Sequence, residues 1–156
     1  MSDPSRTGGA EPAPAELLAV SDKLWSAFNA RDWDALYELT TDDFTAKTDS
    51  RWPGGGEFSG RDAQMRFFDQ FLDPWEELRY ERSGEPVILN GQMVEQGAWV
   101  GVGRATGIEG RIDFTLVTTI ENGLVKRSDF FISHDEALAF ASGGGPGAES
   151  PGPPPE

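Results

Sequence analysis

Asp129 is the residue of this chain best placed to do chemistry. It sits in the run LVKRSDFFI, Leu124 to Ile132, where simple alternation puts Val125, Arg127, Asp129 and Phe131 on one face of a strand. A carboxyl among apolar neighbours is desolvated. Desolvation disfavours the charged form, raises the pKa and makes an acid or base usable near neutral pH. A second reading stands beside this one. Asp129 pairs with Arg127 or another base and only fixes the sheet.

Other residues compete for a role. Glu95 could join Asp129 as a paired carboxylate if its strand turns it inward. The facing stays open, because Val94, Ala98, Val100 and Val102 make the more apolar face of that stretch. His134 lies in Ser133-His134-Asp135-Glu136, a capping box, which assigns it to a helix N-terminus. No set of metal ligands accompanies it, so no metal and no cofactor is expected. Asp42 and Asp43 fit a turn and a cap. Trp25, Phe28, Phe44, Trp52, Phe67, Phe71, Trp99 and Phe131 are the candidate walls of a pocket for an apolar small molecule. They also fit a core, and in a curved sheet core and pocket wall are one layer. Gly101-Val102-Gly103 is not followed by a helix, so it reads as a bend or bulge and not as a phosphate loop.

The elements that position these residues follow from periodicity. Leu17, Leu18, Val20, Ser21, Leu24, Trp25, Ala27 and Phe28 recur at helical spacing. Asp32 caps a short second helix, Trp33 to Leu39. A first strand runs from Phe44 to about Asp49. Arg51 to Gly56, with three consecutive glycines, is a loop. Arg61 to Leu72 reads as a deeply packed helix, ended by Asp73-Pro74. Strands follow over Trp75–Leu89, Gln92–Thr106, Arg111–Ile120 and Leu124–Ile132. Asn90-Gly91 and Asn122-Gly123 supply two hairpin turns. Helices first and antiparallel strands afterwards give an α+β fold, a curved sheet wrapped around helices.

Composition narrows the partners. The chain has 156 residues, 27 acids against 13 bases, a formal net charge of −14 and no cysteine. Disulfides and thiolate chemistry are excluded, and nucleic acid and anionic membranes are repelled. No apolar run approaches the ~20 residues of a membrane span, and the start lacks the apolar core of a signal peptide. A cytoplasmic protein is expected. Met1–Pro14 and Ser142–Glu156 are small, polar and Pro/Gly-rich, so both are expected to be disordered, leaving a domain over about 15–141.

Three runs carry a resemblance: AFNARDWDALYELTTDDF (Ala27–Phe44), FSGRDAQMRFFDQF (Phe58–Phe71) and ENGLVKRSDFF (Glu121–Phe131). In order and spacing the chain resembles the SnoaL-like branch of the nuclear transport factor 2-like superfamily. The resemblance implies a cystatin-like α+β barrel, a cone of strongly curved mixed sheet around a long N-terminal helix, with an apolar pocket at one end. It also implies relatives such as ketosteroid isomerase, limonene epoxide hydrolase, polyketide cyclases and scytalone dehydratase, beside members that only bind. Fold does not carry function across such a group. The late-strand acid of epoxide hydrolase-like members matches Asp129, but their Arg-x-Asp pair falls on Gly97 and Trp99, and their first-strand polar partners fall on Ala46 and Thr48. The ketosteroid isomerase base falls at Thr48 or Asp49, and its tyrosine falls near Leu24. The dehydratase pattern needs histidines, and His134 is the one this chain has.

Three functions remain: a proton-transfer enzyme on a ring-bearing apolar molecule, a pocket that binds such a molecule without turnover, and an interaction module. A homodimer through the apolar outer face of the sheet is expected.

Overall fold

The computed structural model describes residues 13–49, 51 and 56–143. The expected tails fall outside the described residues, apart from their inner ends. Helix α1 spans Pro14–Asn29 and α2 spans Trp33–Glu38. Strands β1 (Thr40–Lys47) and β2 (Glu57–Ser59) precede α3 (Arg61–Leu72). Then come β3 (Trp75–Leu89), β4 (Gln92–Gly103), β5 (Glu109–Glu121), β6 (Leu124–Phe131) and α4 (His134–Ser142). No described helix is long and apolar enough to cross a membrane.

The strands form one curved, open sheet in the order β2-β1-β6-β5-β4-β3. Its neighbours are antiparallel except β1 and β6, which run parallel. The hairpin turns form as their dipeptides require: φ is 51° and 78° at Asn90-Gly91, and 54° and 79° at Asn122-Gly123. Asp32 caps α2 by accepting the Ala35 N–H at 3.2 Å.

Several expectations change in detail. β1 starts at Thr40, four residues early, because Thr40 pairs with Val125 of β6. β4 ends at Gly103, where Arg104–Thr106 turn toward β5. β2 is an added edge strand paired with Thr45–Lys47. α3 is less deeply packed than expected: Gln64 and Phe68 are buried, while Met65, Phe67, Phe71 and Leu72 are half-buried. Gly101 sits opposite a bulge on β3, where Glu77 and Leu78 face it between the pairs Glu76↔Val102 and Arg79↔Val100. A Cβ on Gly101 would meet the Leu78 Cα at 2.9 Å, so the close approach needs glycine.

The sheet has two unlike faces. α1 and α3 cover the inner face, where the rings of Trp25, Phe28, Phe68, Tyr80, Trp99 and Phe114 pack together. α4 covers part of the outer face, where Ala137 and Ala141 bury Val94 and Val117. Register settles the facing of β4: Met93 and Trp99 join the inner core, while Val94 joins the outer one. Val94 and Val117, apolar residues of the outer face, are therefore covered by α4 within the subunit. The large apolar side chains left exposed among the described residues are Val87, Ile108 and Ile132, on separate segments.

Candidate functional site

Asp129 stands on the outer face. In the β5–β6 ladder Thr119 pairs with Arg127 and Ile120 with Val125, so Lys126 is one residue too many. That bulge breaks the alternation. Val125 faces the inner core, whereas Asp129 lies opposite Val117, under the α4 side of the sheet. Its side chain is 3 % exposed. Arg127 grips it as a fork, with Nε donating at 2.9 Å and Nη2 at 3.0 Å. Arg127 also approaches Glu57 at 3.8 Å.

A cleft of about 600 Å³ opens beside this pair, lined by Lys47, Thr48, Asp49, Phe131, Glu136 and Phe140 among others. Arg51 closes one side, donating to Asp49 at 2.6 Å and to Glu136 at 2.7 Å. The Arg51 hydrogen bond, helped by the Ile132 N–H, holds the Asp49 carboxyl well below its ordinary range. Glu136 thus serves Arg51, and half of the expected capping box forms: Ser133 Oγ accepts the Glu136 N–H at 3.2 Å. Of the candidate pocket aromatics, Phe131 stands on the same face as Asp129. Trp99 and α3 are on the other face.

The candidate pocket aromatics divide accordingly. Trp25, Phe28, Phe44, Phe67, Phe71 and Trp99 belong to the inner layer. Phe131 is on the outer face, 5.3 Å from Phe140. Trp52 lies outside the described residues. The inner rings fill their own space. Between Ser21, Trp25, Gln64, Phe68 and Thr118 about 10 Å³ remains, room for one water at most. His134 keeps to the helix start, with Nδ1 3.1 Å from Thr115 Oγ1.

Glu95 is buried on the inner face, so it cannot share a proton with Asp129. Its carboxylate accepts from Ser21 Oγ at 2.8 Å, the Tyr80 hydroxyl at 2.7 Å and Arg82 Nε at 3.0 Å. Opposite it, β3 bulges over Gly84-Glu85-Pro86, between the pairs Ser83↔Gln96 and Val87↔Val94. Burial, reinforced by the Glu95 charge, pushes the Tyr80 phenol above its ordinary value. Gly97 makes room for that ring, since a Cβ there would stand 2.4 Å from it. The period-two spacing of Tyr80 and Arg82 was the signal that could have paired them with Glu95.

The apolar cleft lies elsewhere. Phe71, Pro74, Trp75, Ile112 and Ile132 line a recess of about 640 Å³, with Arg51, Gln70 and Asp113 at its polar margin. The Trp75 ring approaches Gly110, where a side chain would crowd it at 3.1 Å. Nothing in this recess is a positioned acid–base pair. Its surface suits a flat apolar body.

Comparison with known proteins now places the fold. The SnoaL-like domain family matches residues 22–128. The chain belongs to that family. None of the curated proteins matches it. Among solved structures it is similar to a nuclear transport factor 2-like protein of unknown function from Burkholderia pseudomallei. That match has 17% identity and a TM-score of 0.66, covering 81% of this chain and 98% of that one. It is also similar to a putative SnoaL-like polyketide cyclase from Jannaschia sp. CCS1, at 16% identity and TM-score 0.65, covering 85% and 96%. A Mycobacterium tuberculosis protein in complex with estradiol-17β-hemisuccinate matches at 16% identity and TM-score 0.65, covering 77% and 95%. At such identities the likeness carries the fold, and the site of this SnoaL-like domain must be read from its own residues.

Proposed function

We propose that this SnoaL-like domain binds an apolar, ring-bearing small molecule in the cleft of Phe71, Pro74, Trp75, Ile112 and Ile132, without turnover by Asp129. The observation that carries this reading is the cleft itself, about 640 Å³ walled by two aromatic rings and two isoleucines. A ligand covering about 200 Å² of apolar surface there gains ~5 kcal/mol at ~25 cal/mol per Å². That gain supports sub-millimolar affinity before losses of motion are counted. A structural neighbour is in complex with estradiol-17β-hemisuccinate, a ring-bearing molecule that also carries a carboxylate.

Asp129 is committed elsewhere. A carboxylate forked by a guanidinium is a strong, directional pair that orders a sheet. Asp129 borders the cleft of Thr48 and Asp49, but its oxygens there accept the Arg127 fork, which competes with proton transfer. Titration with the neutral fluorescent probe N-phenylnaphthylamine tests the assignment. Binding should be saturable in the native protein and at least about tenfold weaker in Ile112→Asp, where a charge enters the apolar wall. Asp129→Asn should leave the affinity unchanged. A native protein that does not bind the probe, or binding that depends on Asp129 and ignores Ile112→Asp, overturns it.

A further inference from the structure

Trp99 is fully buried, yet its indole Nε1–H has no acceptor among the described residues. A buried indole donor ordinarily finds a partner, and leaving it unmet is costly. Five rings surround it: Phe28 at 5.0 Å, Phe114 at 5.1 Å, Phe71 at 5.3 Å, Trp25 at 5.4 Å and Tyr80 at 5.9 Å. Four of these are buried in the inner core. Phe71 differs. It is half-buried in the last turn of α3, it touches Trp99, and it lines the apolar cleft. It is therefore the ring that touches both Trp99 and the open recess.

We infer that a ligand in the cleft displaces the Phe71 ring and presents a neutral hydrogen-bond acceptor, a carbonyl oxygen, to the indole N–H of Trp99. The inference rests on the proposed binding cleft and adds its polar selectivity. A neutral acceptor is favoured over a carboxylate because Arg51 at the margin is already paired with Asp49 and Glu136, and the chain carries a net charge of −14. Trp99 is then a specificity-determining residue. It rewards a ring ketone over the hydrocarbon of the same shape, because with the hydrocarbon the donor stays unmet.

Two neutral probes of similar size test this, methyl naphthyl ketone and isopropylnaphthalene. The native protein should bind the ketone about tenfold more tightly, the worth of one buried hydrogen bond. In Trp99→Phe, which keeps an aromatic ring but has no donor, that ratio should fall to about one. A ¹H–¹⁵N spectrum of the native protein gives an independent reading. Of the indole signals of the five tryptophans, the one lost in Trp99→Phe should move downfield with the ketone and not with the hydrocarbon. Equal affinities, an unmoved Trp99 signal or a ratio that survives Trp99→Phe overturns the inference and leaves the apolar cleft standing. If neither probe binds, cleft and inference fall together.

Discussion

Two acids are buried on opposite faces of one sheet, and each is met by an arginine two residues away or across a strand. Glu95 is 1 % exposed and is held by three donors from α1 and β3. Asp129 is 2 % exposed and is held chiefly by Arg127, its neighbour on the same strand. The first ties a helix to the sheet across long separations in sequence. The second stiffens one strand locally. A buried charge therefore marks a structural joint here as readily as a reactive group, and the kind of partner tells which elements it joins.

The contrast makes ordered predictions. Glu95→Ala should cost most, about 3 kcal/mol in urea unfolding, because it leaves the buried Ser21 and Tyr80 hydroxyls without their acceptor, while Arg82 keeps its pair with Asp22. A loss below ~1 kcal/mol would mean the joint is not under load. The same network sets an alkaline limit. The Tyr80 phenol is raised by burial first and by Glu95 second. Its stabilising share is fully present below the ordinary phenol value of about 10, and is lost as pH rises from there toward the folded value. Tyr80→Phe should flatten that alkaline loss of stability.

Asp129→Asn should cost less, about 1–3 kcal/mol at neutral pH, since the amide cannot accept the full fork from Arg127. A gain in thermal midpoint would instead show a strained, desolvated acid and would restore the catalytic reading. Ser133→Ala should cost least, about 1 kcal/mol, through the lost N-cap of α4. If that loss also exposes the outer apolar face, dye binding will report it before global unfolding.

Much of this fold was legible because short-range chemistry decides it. Asn90-Gly91, Asn122-Gly123, Asp32 and Ser133 each act within four residues, and each does what its type requires. The site was less legible because parity was read by counting. One extra residue, Lys126, puts Asp129 on the opposite face from Val125, with which alternation had grouped it. Glu95 remained ambiguous because β4 is apolar on both sides, one covered by α1 and the other by α4. β2 is three residues long and owes its form to β1, so its own sequence carries no signal. The apolar cleft draws on α3, β3, β5 and the segment after β6, and no local pattern announces such a meeting.

The two bulges of β3 also bear on how the protein behaves in concentrated solution. β3 is the outermost strand on its side and fifteen residues long, a length that could template the strand of another molecule. It is irregular at Glu77-Leu78 and again at Gly84-Glu85-Pro86, where a proline removes one donor. Glu76, Arg79, Glu81 and Arg82 place charge along the stretches between. No long run of unpaired, evenly spaced donors and acceptors is left. The irregularity that stands opposite Glu95 inside the subunit therefore also blunts open-ended, strand-by-strand polymerisation outside it.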